Sequence, residues 1–91
     1  MDNLNVYQHK WLPCTIENGM FDTEYSVEIE FELKKYSLFA DKSNVKNGNG
    51  NKGLLSVTLL KIENNHGTIM LPDEVLELGF RIINVPMNIL Q

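Results

Sequence analysis

Residues 48–53 read GNGNKG, which places Gly48, Gly50 and Gly53 at the spacing G-x-G-x-x-G. In a dinucleotide-binding turn, glycines so spaced let backbone N–H groups approach a pyrophosphate at the start of the helix that follows. Here Gly53 leads into LLSVTLLKI, which reads as a strand. Without a helix behind them the glycines lose their anion site. The expectation for residues 46–53, which carry no apolar side chain, is a flexible and dispensable loop.

Cys14, His9 and His66 are the candidates for nucleophile, base or soft metal ligand. A catalytic thiol needs a base beside it and a lowered pKa. Cys14 alternates with Leu12 and Ile16 on an apolar face, which points to a buried structural thiol. The three residues match no zinc spacing, so no metal site, catalytic residue or cofactor is assigned. Glu24, Glu28, Glu30 and Glu32 fall on one face of a strand. Acid–base chemistry would need one of them raised by burial, and an exposed stripe does not supply that. Lys34 and Lys35 are positioned to neutralise the row across a strand pair.

Four residues are candidates for an interaction surface. Trp11 shares the polar face of its strand, and Met20 and Phe21 lie in the turn region GMFDTE. Arg81 is the single arginine, and its planar guanidinium suits a bidentate anchor.

The elements that position these residues are mostly strands. YSVEIEFEL, residues 25–33, alternates apolar and polar side chains throughout, the mark of a half-buried strand. WLPCTIE (11–17) reads as another, with Pro13 requiring a free edge. Lys34-Lys35 is the expected reversal before the returning strand YSLFA (36–40), and DKSNV (41–45) suits a turn or one helical turn. GLLSVTLLKIEN (53–64) shows two apolar faces, which implies a central strand or one that bends. Asn64–Gly67 is a hairpin turn in which glycine supplies the positive φ. TIML (68–71) returns. PDEVLELG predicts a short helical turn near 73–78, packed through Val75, Leu76 and Leu78. FRIINV (80–85) is the last strand, and PMNIL (86–90) a terminal 3₁₀ turn plugging one end of a barrel.

The reading is an all-β fold, a small antiparallel barrel or compact sandwich of about six strands. Its strand–turn–3₁₀ ending resembles small SH3-like barrels in architecture. Residues 1–10 are a tail or edge segment, and 11–91 a single domain. YSLFADKSNV and RIINVPMNIL echo each other as strand, polar turn and apolar plug, and LPCTI echoes LSVTL. The identities are too few to establish a duplication, but each half reads as a three-stranded unit.

Ninety-one residues hold one core, and 43% apolar content argues against disorder. A net charge of −4 gives no footprint for a phosphate backbone. No stretch is long and apolar enough for a membrane span or a secretion signal, and the single cysteine suits a reducing compartment, so a cytoplasmic protein without membrane partners is expected. The expected role is a non-catalytic protein-interaction module or small subunit of an assembly, with a protein partner or self-association as a homodimer. The alternatives are a small-ligand binder or small enzyme and, against the acidic balance, a single-stranded nucleic-acid module resting on the lysines of 34–61.

Overall fold

The computed structural model describes residues 4–91 of the chain, with side chains from residue 7 onward. Residues 1–3 of the expected tail or edge segment lie outside the described residues; from Leu4 the chain is strand. The strands are β1 (Leu4–Asn18), β2 (Glu24–Phe31), β3 (Lys34–Asp41), β4 (Val45–Asn47), β5 (Lys52–Glu63), β6 (His66–Met70) and β7 (Ile82–Pro86). They form one antiparallel sheet in the order β3-β2-β1-β5-β6-β7, with β4 on β5 beside this path. The sheet curls into an open half-barrel. The inner face holds Leu12, Val27, Ile29, Leu38, Leu55, Leu59, Ile69 and Val85, each essentially sealed from solvent. No buried polar residue stands among them within the described part of the chain.

Two meanders, β1-β2-β3 and β5-β6-β7, meet back to back at the β1–β5 pair. Leu12 lies directly opposite Leu55, its counterpart in the echo between the halves. Each half ends alike. After β3, a 3₁₀ turn (Lys42–Asn44) leads into β4, which pairs with β5. After β7, a second 3₁₀ turn (Met87–Ile89) leads to Gln91, which exchanges two backbone hydrogen bonds with Trp11 of β1 at 2.8 and 2.9 Å. Val45 and Leu90, the last residues of the echoing segments, both pack against the core. The expected terminal plug is therefore present, and its pattern occurs twice. The first 3₁₀ turn is capped by Asp41, whose carboxylate accepts from the Ser43 N–H at 2.9 Å and the Ser43 hydroxyl at 2.7 Å. Those bonds favour the charged form and hold the carboxyl below its ordinary range.

β5 is central and also bends, which accounts for its two apolar faces. Its pairings with β1 and with β6 both slip at Leu60. A bulge inverts which side chains face inward. Leu55, Val57 and Leu59 point into the core before it, and Ile62 packs there after it. Pro13 sits where β1 has lost β2: their register stops at Thr15–Glu28.

Several local expectations change. The reversal between β2 and β3 is Glu32–Leu33 rather than the lysine pair, since Phe31 lies opposite Lys34 and Glu30 opposite Lys35. Both turn residues have positive φ, 46° and 64°, and Leu33 is fully exposed instead of continuing the apolar face. Side chains in that region cost roughly 1–2 kcal/mol each. Replacing Glu32-Leu33 by Asn-Gly is therefore expected to raise stability by about 1 kcal/mol or more, read as a higher urea midpoint at unchanged m. The β5–β6 turn is Asn64–Asn65, both at positive φ. Gly67 is not the turn residue; it is buried in β6, where it lets the terminal plug come close.

The expected loop 46–53 is largely a paired hairpin. Lys46 and Asn47 belong to β4, Lys52 and Gly53 to β5, and the connection is residues 48–51, with Gly50 at positive φ. The Asn51 carbonyl accepts from the Ile16 N–H at 2.7 Å, and Gly53 is buried against Ile16. Removing 46–53 would strip β4 from β5 and take away the Asn51 carbonyl that the Ile16 N–H bonds, so the segment is part of the sheet and not the expected free loop.

Candidate functional site

The residues that suggested chemistry are dispersed. Gly48 and Gly50 belong to the β4–β5 turn and Gly53 to a strand, with no helix behind them. His9 and Cys14 differ in parity along β1, so they take opposite faces. The His9 Nε2 is 2.8 Å from the Ser56 Oγ, and His66 lies beside Glu32 at 3.7 Å, at the ends of two hairpins. Among the described residues no three His, Cys, Asp or Glu side chains gather to hold a metal ion. Glu28 of the acidic row pairs diagonally with Lys35 at 3.6 Å, an exposed contact of small energetic weight.

Cys14 is half-buried in a groove of about 700 Å³ where β1 and β2 part, bordered by Pro13, Glu28, Glu30, Lys52 and Gln91. Burial pushes its thiol from an ordinary 9.0 up to about 11. Between pH 9 and 11 the unfolded chain releases this proton while the folded chain keeps it. Stability should therefore fall as pH rises through that window, since the native state binds more protons there. Chemical denaturation of the wild type and Cys14→Ala across that range checks this; parallel pH profiles would refute it.

The structure separates the four expected interaction residues. Met20 and Phe21 lie together, both well exposed, in the β1–β2 turn. Trp11 lies seven strand residues before Asn18, about 23 Å along β1 at ordinary strand rise. Its half-buried ring meets the edge of His9 at 4.7 Å and the Lys46 ammonium at 4.3 Å, so it is covered by its own neighbours. Arg81 turns inward on its own connector. Its Nε donates to the Leu71 carbonyl at 3.2 Å and its Nη2 to the Pro72 carbonyl at 3.3 Å.

A different surface emerges at the β6–β7 connector, residues 71–81. Its ends are tied by the Leu71 N–H to the Arg81 carbonyl, and its tip by the Val75 N–H to the Phe80 carbonyl. Leu78 and Gly79 both donate to the Val75 carbonyl, and Glu77 within this segment has a φ of 71°, so the segment is a tight turn and not the expected helical turn over 73–78. Of the three side chains expected to pack, Val75 alone is buried; the turn is too short to bury two faces. Leu76, Leu78, Phe80 and Ile82 stay 41, 56, 42 and 52% exposed, against the expectation that Leu76 and Leu78 would pack. Phe80 stacks edgewise on Tyr36 at 6.2 Å, and Tyr36 leans on Phe31 at 6.0 Å. The Leu76 N–H donates to the Ser37 carbonyl of β3 at 2.7 Å, so the connector tip reaches across to the opposite edge of the half-barrel. Local sequence carried one signal of this surface, apolar residues at every second position from 76 to 82, and helix punctuation masked it.

The fold is thus an all-β half-barrel with an apolar interior and four exposed large apolar side chains on the connector and the strand it leads into. No protein family, curated protein or solved structure matches the chain. No helix among the described residues is long and apolar enough to cross a membrane.

Proposed function

We propose that this chain is a non-catalytic protein-interaction module, or the small subunit of an assembly, and that its contact face is the row Leu76, Leu78, Phe80 and Ile82. One observation carries the reading: four large apolar side chains, at alternate positions of the connector and the start of β7, remain exposed next to a free edge of the sheet. Isolated apolar exposure is ordinary, whereas several large apolar side chains exposed on one short segment point to a contact surface. Met20 and Phe21 in the β1–β2 turn form a smaller secondary patch. The single thiol favours a reducing compartment such as the cytoplasm.

The alternatives have weaker support. The apolar interior is filled by side chains, which leaves the Cys14 groove as the main concavity for a small ligand. The lysines offered for nucleic acid are divided: Lys46 caps Trp11, Lys35 faces Glu28 and Lys61 faces Glu63.

Affinity enrichment from the protein's own cell extract, run with wild type and with Leu78→Ser/Phe80→Ser/Ile82→Thr, tests the reading. A defined set of proteins should be lost in the variant while its circular dichroism stays native. Identical sets from both proteins would sink it. Light scattering over a concentration series belongs to the same experiment, and a stable dimer broken by the triple variant would make a second copy the partner.

A further inference from the structure

The sheet has two ends, β3 and β7, and the chain treats them differently. In the β2–β3 hairpin, Phe31 and Lys34 flank a two-residue turn, so strand alternation directs the backbone groups of Lys35, Ser37 and Phe39 outward. That edge is guarded. Lys34 and Lys35 charge it, and the connector tip sits on it through the Leu76 N–H and the Ser37 carbonyl. The segment that docks there, PDEVLELG, is apolar and acidic, with Asp73, Glu74 and Glu77 exposed. The molecule thus lays an acidic, apolar turn on a lysine-bearing strand edge.

On β7 the bonds Leu71 N–H to Arg81 carbonyl and Met87 N–H to Asn65 carbonyl bracket the strand. Alternation between them makes Ile83 and Val85 the residues bonded to β6. Ile82 and Asn84 therefore turn both N–H and C=O outward, and Pro86 turns its carbonyl. No described strand meets these groups. β7 carries no charged residue; its one guard against pairing is Pro86, at the far end of the strand, which leaves the edge at Ile82 and Asn84 open. The turn corresponding to the connector in the other half, Glu32–Leu33, is too short to cover it. The connector leading into β7 bears three exposed acids, and its one base, Arg81, is committed to the Leu71 and Pro72 carbonyls.

Resting on the interaction-module reading, we propose that β7 accepts an extended segment of a partner protein as an added strand. The segment pairs its backbone with Ile82 and Asn84, lays apolar side chains against Leu78, Phe80 and Ile82, and carries lysine or arginine toward Asp73, Glu74 and Glu77. Main-chain bonds supply the docking and side chains the selection, as in other strand additions. Charge complementarity chooses a basic partner over a second copy of this acidic chain.

Fluorescence anisotropy tests it with a labelled peptide of about nine alternating valines and lysines, and a valine–glutamate twin as comparison. The lysine peptide should bind at least about tenfold more tightly than the twin, and Asn84→Pro should weaken it by a similar factor. Proline is tolerated at an edge position whose N–H faces out. Ile82→Lys, on an exposed side chain, is the second variant and should weaken binding likewise. Asp73→Lys/Glu74→Lys/Glu77→Lys should exchange the preference of the two peptides. Absent binding, equal binding of both peptides, or binding indifferent to both β7 variants overturns the proposal. If enrichment from extract still depends on the apolar row in that event, the module reading stands and only the basic-strand assignment falls.

Discussion

Leu55→Ala is expected to remove about 3 kcal/mol or more, the cost of a buried leucine deletion whose cavity cannot collapse. Leu55 is fully buried at the crossing of three strands, opposite Leu12 of β1 on one side and Val45 of β4 on the other. The neighbours that would have to relax are themselves strand residues held by ladder bonds. A domain of this size has about 5–15 kcal/mol in hand, so the loss is a large share. The midpoint of thermal unfolding should fall by roughly 15 °C. Urea titration, with m unchanged, measures it directly. Leu78→Ala, on an exposed side chain of the same type, should stay within about 0.5 kcal/mol. A loss under about 1 kcal/mol for Leu55→Ala would mean that the β1–β5 junction is not the packing centre described here.

The second large effect belongs to Gly67→Val. A Cβ at position 67 would stand 2.7 Å from the Leu59 Cδ1 and 2.8 Å from the Met87 Sδ. Both distances are shorter than real carbon contacts, and valine adds two methyl groups beyond the Cβ. Leu59 is sealed in the core, so the strain falls on the Met87 side chain and, through it, on the plug. Overpacking of this kind costs roughly 1–3 kcal/mol, and valine belongs at the upper end. Because the plug leads to Gln91, the same substitution should loosen the Gln91–Trp11 pair and speed amide exchange at both residues. Met87→Ala should restore part of the loss in Gly67→Val, and a coupling near zero in that double-mutant cycle would reject the steric account.

Much of the fold was readable, and the places where reading failed share a cause. β2 alternates so regularly that its face and its neighbours follow from period two. Pro13 announced the point where β1 and β2 part. The two halves and their plugs were visible in paired segments ending at Val45 and Leu90. The Glu32–Leu33 turn was not, because neither residue favours positive φ and Leu33 extends the apolar alternation past the strand's end. The bulge at Leu60 has no local signature; it is set by what β1 and β6 require on either side. Gly67 looked like a turn glycine because Asn64-Asn65-His66-Gly67 carries turn residues throughout, and only the approach of Met87 shows its use. Of the four residues expected on an interaction surface, Met20 and Phe21 are exposed, while the Trp11 ring is covered by His9 and Lys46 and Arg81 fastens its own connector. The exposed row at 76–82 was hidden because burial of Leu76 and Leu78 is decided by the length of the connector and its reach to Ser37, both tertiary facts.

The back-to-back arrangement of the meanders also governs how quickly the chain reaches its native state. Each meander is built from neighbouring strands and forms early, yet neither has an interior until β1 meets β5. That meeting joins Leu12 to Leu55, residues far apart in the chain. The entropy of closing so long a loop must be overcome before most buried side chains find partners. Pairing of β1 with β5 is then expected to set the folding rate, and substitutions at that pair should slow folding more than substitutions elsewhere in the sheet.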